Sequence, residues 1–422
     1  MSRVLLAGCA GGVGSSGEGA CIARTGRFLS ALEGAGHSVD MFEPSGPGSR
    51  KDLRRILKSG RYDVVTAISP YPAEAVLSAG CLPPLWIDIN GAHPAEVFHS
   101  SDDPVTRRIH TIRVLSLESA ILRGGDAFST PSRRQRLAVL GELLLLGRFS
   151  AASQVEPPVY AIPHCATQSR PSRARPAPGG TFSIISTGSF NTWFDHRTLF
   201  AALEAVMEAD NRVTFTATGG PVRHSGSGWA EFSDLVHSSR KADRFLLEGW
   251  LPDGEMERVY SEASAAVFTD LPGLETELGA RTRVLDWISR GIPVVCTAGS
   301  EIAEDIAAAG MGIVVPQGDP AALASALLSL ARDPGLGDGI RSAQAAWSAG
   351  PGSMREVFAP YLRWVEEPRR VLSRSVSVPV VPPFRTAGYH RVLVGEIVRA
   401  GGVRKAAGRI LARIFRRGPA PA

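Results

Sequence analysis

The sequence is poor in cysteine and has no long apolar run. Its five cysteines lie far apart and form no C-x-x-C pair: Cys9, Cys21, Cys81, Cys165 and Cys296. This spacing argues against a disulfide framework or a zinc site and favours reduced thiols. No stretch approaches the roughly 20 apolar residues that cross a bilayer, and the N-terminus shows no signal-peptide pattern. We therefore expect a cytoplasmic protein without a membrane-spanning helix.

Lysine is also scarce. Of the 46 basic residues, four are lysines, at positions 51, 58, 241 and 405, and the others are arginines. The bias toward arginine accompanies much alanine and glycine, so arginine richness alone does not indicate phosphate binding. The formal net charge is +5. Residues 385–417 alone carry a net +8, which leaves −3 for the rest of the chain. A body that is not basic argues against a nucleic-acid partner.

A chain of 422 residues is long enough for two or three domains. In residues 1–165, buried-strand patterns alternate with helical patterns, which predicts a parallel sheet covered on both faces. Residues 166–180 are rich in Pro, Ser and Arg and are expected to be a linker. A second alternating series occupies residues 181–349. The chain is thus predicted to hold two doubly wound α/β domains in tandem.

Two further segments follow the second domain. We expect residues 350–367 to form a helix that crosses back to the first domain, and residues 368–422 to form an extended connector and a basic tail. Within the tail, residues 389–417 have the pattern of a basic amphipathic helix. Such a helix suits an anionic membrane surface, and it would equally suit packing along the protein's own surface.

A glycine-rich stretch after the first strand reads G-x-G-x-x-G over residues 12–17. This pattern is typical of dinucleotide binding, where it opens a helix directly. Here the helical pattern begins only near residues 19–20, which weakens an NAD interpretation. The alternatives are a structural turn and a loop that approaches a ligand closely.

The segment 274–299, LETELGARTRVLDWISRGIPVVCTAG, is a second candidate site. It predicts a turn, a helix start and a buried strand. A helix start favours anions, and Arg281 and Arg283 add forked donors suited to phosphate oxygens. Asp286 lies about one turn further, within reach of a ribose. The alternative is a surface helix whose arginines pair with neighbouring acids.

This segment resembles family 4 of the glycosyltransferases, and more closely a bacterial subgroup. The matching motifs are Glu275-Thr276, Arg281-Thr282-Arg283, Leu285-Asp286-Trp287 and residues 291–295, GIPVV. Residues 187–199, TGSFNTWFDHRTL, and residues 248–267 look like two further parts of the subgroup's donor domain. The resemblance implies a GT-B fold, in which two Rossmann-like domains face each other across a cleft.

The resemblance also implies roles for individual residues. Gly188 and Ser189 would lie by a diphosphate, and Trp193 and Asp195 at the cleft mouth. Trp250 and Leu251 would flank the base. The residues that would contact the phosphates or the donor sugar are Glu277, Arg281, Thr282 and Arg283. Asp286 would bind the ribose. The broader family often uses a lysine for the diphosphate; here Arg281 and Arg283 would replace it, with Arg244 as a third candidate.

The acceptor side is expected in the first domain. Asp88, Asn90 and His93 follow a buried strand and could position or deprotonate an acceptor hydroxyl. The resemblance implies that the glycine-rich loop faces the cleft and helps bind the acceptor and donor phosphates, through Gly11, Gly12, Gly14 and Ser15. The candidate catalytic residues are Asp88, His93 and Arg281. No metal site is expected, since the pair Asp102-Asp103 is better explained as a cap for the helix that follows.

The sequence therefore predicts a metal-independent glycosyltransferase with no cofactor. It would move a sugar from a nucleoside-diphosphate sugar to a glycan, lipid-linked or small-molecule acceptor. The resemblance implies retention at the anomeric carbon. Two alternatives stay open: an NAD-linked oxidoreductase using residues 12–17, and a non-catalytic relative.

Overall fold

The computed structural model describes residues 1–9, 19–44, 49–99, 103–149, 153, 155–165, 180–221, 227–370, 386–391, 394, 395 and 398. The predicted ligand loop with Gly11, Gly12, Gly14 and Ser15 lies outside the described residues. So do most of the predicted linker and nearly all of the basic tail. Among the described helices, none has the length and apolar character needed to cross a bilayer.

The first sheet is fully parallel and has the strand order β2-β1-β3-β4-β5-β6. Its strands are β1 Arg3–Ala7, β2 Ser38–Phe42, β3 Val64–Ile68, β4 Leu85–Asp88, β5 Ala127–Thr130 and β6 Val159–Ala161. Its helices are α1 Gly19–Gly34, α2 Ser49–Lys58, α3 Pro70–Ala79, α4 His93–Glu96, α5 Pro104–Gly124 and α6 Arg133–Leu145, with a 3₁₀ turn at Val97–His99. Separate apolar clusters pack on the two faces of the sheet. Burial on both faces explains the nearly continuous apolar runs of its strands.

The second sheet is also parallel and has the order β12-β11-β10-β7-β8-β9. Its strands are β7 Phe182–Ser186, β8 Val213–Thr218, β9 Phe245–Gly249, β10 Ala265–Phe268, β11 Val294–Thr297 and β12 Gly312–Val315. Its helices are α7 His196–Ala209, α8 Ser227–Ser238, α9 Asp253–Glu262, α10 Leu274–Leu278, α11 Thr282–Ser289, α12 Glu301–Ala309, α13 Pro320–Arg332, α14 Pro334–Ala349 and α15 Met354–Glu366, with a 3₁₀ turn at Ala242–Arg244. The prediction of two doubly wound domains is confirmed.

The last long helix, α15, packs on the first domain. Phe358 and Tyr361 contact Phe28 of α1 edge-on, with ring centroids 4.9 and 4.8 Å apart. The Tyr361 hydroxyl lies 2.7 Å from Oγ1 of Thr66 in β3. The chain therefore returns to the first core after completing the second sheet.

Helix α3 was not predicted. Residues 70–79 form α3, although Pro70 and Pro72 lie in its first turn. Proline is tolerated there because the first amides of a helix have no intrahelical partner. By contrast, Asp103 caps α5 as predicted, accepting from the amides of Val105 and Thr106.

Candidate active site

The candidate site lies where the strand order of the second sheet reverses, between β7 and β10. Strand β7 is central and pairs with both β8 and β10, so the segments after β7 and β10 meet at one edge. Ligands of open parallel sheets bind at such a switch point, beyond the carboxyl ends of the strands. An isolated antiparallel bridge joins the two segments between Phe194 and Asp270.

Two glycine turns shape this edge. Gly188, after β7, has φ +92°, and Gly219, after β8, has φ +93°. The amide of Gly188 donates to Thr218 O at 2.9 Å, and a Cβ on Gly219 would lie 2.2 Å from Gly188 O. The close approach of the two backbones therefore requires glycine at position 219. Gly188 was named as a site residue from the sequence, whereas Gly219 was not, although the GG after β8 was an available signal.

Arg283 lies against the Gly188 turn. It occupies the first turn of α11 and donates from Nη2 to Ser189 O at 2.9 Å. A Cβ on Gly188 would be 3.3 Å from the guanidinium carbon of Arg283. Burial lowers the pKa of Arg283 to about 10, which leaves the guanidinium charged at neutral pH. The sequence-predicted phosphate ligand thus stands beside the predicted glycine turn.

Arg281 is placed differently from the prediction. Its guanidinium is buried and donates from Nε to Asp270 Oδ2 at 2.7 Å and from Nη2 to Glu275 Oε2 at 2.7 Å. Its Nη1 also donates to Glu275 Oε1 at 2.9 Å. Because two carboxylates already use its donors, Arg281 serves to hold α10 and the loop after β10 in place. Neither acid was named as a site residue from the sequence.

Asp286 lies one turn into α11 and faces the first domain. Its Oδ1 accepts from Arg27 Nη2 at 3.0 Å, and its side chain keeps 36% of its surface exposed. Arg27 also lies 2.7 Å, through Nη1, from Nδ1 of His164. Burial raises the pKa of Asp286, and the charges of Arg27 and Arg290 oppose that rise. The involvement of Arg27 and His164 had no signal in the sequence.

The candidate base-binding side is formed by two tryptophans and a glycine. Trp250 is 57% exposed, and Leu251 beside it is partly buried. A Cβ on Gly220 would lie 3.8 Å from Trp250 Nε1 and 3.7 Å from Trp229 Cε2. An exposed aromatic ring next to a bare glycine backbone offers a flat surface to a nucleobase.

The remaining donor-side candidates differ in burial and in their contacts. Asp195 is buried and caps α7 by accepting from the Thr198 amide at 3.0 Å. The Trp193 ring lies 5.9 Å from the guanidinium carbon of Arg281. Glu277 is exposed and Thr282 opens α11. Arg244, the third arginine considered for phosphate, instead donates to the carbonyls of Met207 and Asp210.

On the acceptor side, Asp88 does not face a ligand. It is fully buried, and Arg24 donates to it from Nε at 3.0 Å and from Nη2 at 2.7 Å. Ser129 Oγ donates to the same carboxylate at 2.6 Å. Its hydrogen-bonding capacity is therefore used inside the domain, and the expectation of a catalytic Asp88 needs correction. A charged side chain at a strand end looks the same in sequence whether it faces ligand or core.

His93 and Glu96 lie on the short helix α4 beside Asn90. Burial lowers the pKa of His93 to about 4, so its ring is neutral at physiological pH. His93 Nδ1 is 3.8 Å from Glu118 Oε2. Burial raises the pKa of Glu96 to about 7, and the charge of Arg281 across the cleft opposes the rise. Asn90 is half-buried.

The two domains are joined beside the site by a set of polar contacts. The Glu301 carboxylate, at the start of α12, accepts from the amides of Arg133 and Arg134 at 2.9 and 2.8 Å. Ser132 Oγ donates to Leu278 O at 3.0 Å, and Arg133 Nη2 donates to Asp305 at 2.7 Å. The positive end of α6 thus receives an acid from the other domain.

No metal cluster is evident in the part of the chain that the structure describes, where no three His, Cys, Asp or Glu side chains are grouped to hold an ion.

Comparison with known proteins places this site in a recognised domain. Residues 181–333 match the family model described as "Glycosyl transferases group 1". A comparison with curated proteins finds no match.

Solved structures with the same fold cover most of the chain. Sucrose-phosphate synthase from Thermosynechococcus elongatus is 19% identical, with a TM-score of 0.59, and the match covers 87% of this chain and 99% of that one. Anabaena HepE, in complex with UDP and glucose, is 15% identical with a TM-score of 0.59, and the match covers 87% and 100%. AviGT4, a glycosyltransferase involved in avilamycin A biosynthesis, is 16% identical with a TM-score of 0.55, over 87% and 97%. These matches show the GT-B fold.

The family match lies in the domain that carries the Gly188 turn and Arg283, and it favours a transferase over the NAD-linked alternative. The chain has the GT-B fold, and residues 181–333 match the glycosyl transferases group 1 model, so the protein is a glycosyltransferase.

Proposed function

We propose that this enzyme transfers a sugar, with retention and without a metal ion, from a nucleoside-diphosphate sugar to an acceptor hydroxyl. The observation that carries the proposal is the contact of Arg283 with the Gly188 turn. It brings a half-buried guanidinium and the amino end of α11 to the switch point of the donor domain. Both are suited to a diphosphate.

Charge on the leaving diphosphate grows as the bond between the anomeric carbon and phosphate oxygen breaks. A guanidinium and backbone amides fixed in advance stabilise that charge without reorganising. Arg283, Gly188 and Ser189 would do this, with Thr282 at the helix start. Arg281 would act through the rigidity of the Asp270–Glu275 cluster, and Glu277 would meet the donor sugar from α10.

The nucleoside would extend from the diphosphate along the second domain. Its ribose would bind Asp286, whose carboxylate remains partly exposed. Its base would stack near Trp250 and Leu251, with Gly220 forming the floor. Trp193 and Asp195 would border the donor sugar.

The acceptor would enter from the first domain. A neutral His93 accepts or donates a hydrogen bond, so it would orient the acceptor hydroxyl or a sugar hydroxyl, together with Asn90. The loop with Gly11, Gly12, Gly14 and Ser15 would complete this side. Asp88 would support it indirectly by fixing Arg24.

The acceptor class is proposed to be a glycan, a lipid-linked intermediate or a small molecule. A lipid-linked acceptor would fit a cytoplasmic enzyme whose basic segment, residues 389–417, rests on an anionic membrane surface.

The test is isothermal calorimetry of the purified full chain with UDP, GDP, dTDP and NAD, in buffer containing EDTA. Binding of one nucleoside diphosphate without added metal, with no binding of NAD, is the expected result. Binding of NAD alone, or a requirement for divalent metal, would overturn the proposal. With the matching nucleotide-sugar, NMR of the released or transferred sugar would then report the anomeric configuration.

A further inference from the structure

The ion pair between Arg27 and Asp286 joins a helix of the first domain to the candidate ribose ligand of the second. Arg27 lies in α1, and its side chain is 7% exposed. A charged side chain that is so buried needs partners, and both partners of Arg27 lie outside its own helix. They are Asp286 and His164.

His164 fixes the orientation of Arg27. It is buried, and burial together with the charges of Arg24 and Arg27 lowers its pKa well below the ordinary value. A neutral ring 2.7 Å from Arg27 Nη1 must accept through Nδ1, since a guanidinium can only donate. The guanidinium is thereby held with Nη2 directed at Asp286 Oδ1.

Arg24, one turn earlier in α1, strengthens this arrangement. It binds Asp88 with two donors and reaches Pro163 O at 3.4 Å, next to His164. The loop after β6 and the helix α1 are thus joined by two arginines. These contacts fix the position of α1, and so of Arg27, where Arg27 contacts the second domain.

We propose that Arg27 is a positioning residue of the donor site: it reaches across the cleft to fix the Asp286 carboxylate for the ribose hydroxyls. The ribose site is then complete only when the two domains are closed as in this structure. The inference rests on the proposed function, in which Asp286 binds the ribose. It adds a contribution from the acceptor-side domain to recognition of the nucleoside.

The test compares affinities for UDP and 2′,3′-dideoxy-UDP, and for the corresponding GDP pair, by calorimetry. The variants are Arg27→Gln and Arg27→Lys, with Arg290→Gln as the matched control. Arg290 lies in the same electrostatic surroundings of Asp286 but pairs with Glu257 of its own domain.

For the wild type we expect the ribonucleotide to bind about 10- to 100-fold more tightly than the dideoxynucleotide, as for hydrogen bonds to a charged group. Arg27→Gln should reduce this ratio to about threefold or less, with affinity for the dideoxynucleotide nearly unchanged. Arg27→Lys should give an intermediate ratio, and Arg290→Gln the wild-type ratio. If Arg27 had a purely structural role, its substitution would lower the affinities for both nucleotides by the same factor.

An unchanged ratio in Arg27→Gln, or an equal loss for both nucleotides, would overturn this inference and leave the proposed function intact. Failure of the wild type to bind UDP, GDP and dTDP would instead remove the proposed function and the inference with it. If Arg27→Gln does not fold, Asp286→Asn and Arg27→Lys provide the comparison. Both should lower the ratio, and a wild-type ratio in either would contradict the proposal.

Discussion

Arg281 Nε donates to Asp270 Oδ2 at 2.7 Å, inside the second domain, and this pair is buried almost completely. Of the two arginines that the sequence motif offered as phosphate ligands, Arg281 therefore has a structural role. Its neighbour two residues on, Arg283, is the arginine that lies on the glycine turn.

The main effect of Arg281→Ala should be a loss of stability of the donor domain, not the loss of a direct contact with ligand. Asp270 and Glu275 would be left buried without their cation, which costs about 3–5 kcal/mol. Urea unfolding of the full chain measures this, with exposed Arg258→Ala as the control, since Arg258 pairs with Glu248 and Glu262 near the surface. A stable Arg281→Ala protein that has lost nucleotide binding would restore Arg281 as the phosphate ligand.

Gly219→Ala should distort the donor site as well as the backbone. Its Cβ would collide with the carbonyl of Gly188, whereas Gly310, with φ +66°, has open space around a Cβ. Both substitutions strain a left-handed backbone, at about 1–2 kcal/mol. Only Gly219→Ala should also lower affinity for the nucleoside diphosphate, by about tenfold or more. Equal affinities for the two variants would show that the paired turns are not part of the site.

His93→Gln should remove a pH dependence of stability. The pKa of His93 is about 4 in the folded chain and about 6.5 when unfolded. Between these values the unfolded chain binds the proton and the folded chain does not, so the wild type loses stability as pH falls from 6.5 to 4. The loss is about 3 kcal/mol, and the variant should lack it. If the free energies of unfolding of the two proteins changed with pH in parallel over this interval, the burial of His93 in the folded chain would be contradicted.

Glu301→Gln should loosen the contact between the domains. The carboxylate accepts two amides at the amino end of α6, and each bond to a charged group contributes about 1.5–3 kcal/mol. Loss of one such bond favours open molecules by about tenfold or more. Small-angle scattering should show a larger radius of gyration than for the wild type or for Glu262→Gln, a change on the surface of α9. An unchanged radius would mean that other contacts suffice to hold the domains.

The sequence predicted the architecture well, because buried parallel strands and helix caps leave local patterns. Asp103 and Pro320 are examples, since each begins a helix for reasons contained within a few residues. Helix α3 was missed because its prolines resemble a loop until their place in the first turn is known.

The site was predicted only in outline. The sequence spacing predicted that Arg281 and Arg283 lie at one helix start. It could not show which of the two pairs with Asp270 and Glu275. Asp88 illustrates the same limit, because its partner Arg24 is 64 residues away in the chain. The pairing of Arg27 with Asp286 spans 259 residues and two domains, so only the folded chain reveals it.

The central claim is that Arg283 binds the diphosphate, and calorimetry of Arg283→Gln with UDP and GDP tests it most directly. Arg258→Gln on the same domain is the control. We expect Arg283→Gln to remain folded and to lose about 10- to 100-fold in affinity for the nucleotide that the wild type binds, as for a charge-assisted bond to phosphate. The control should bind as the wild type does. Wild-type affinity in Arg283→Gln would contradict the account, because the guanidinium on the Gly188 turn would then take no part in holding the donor.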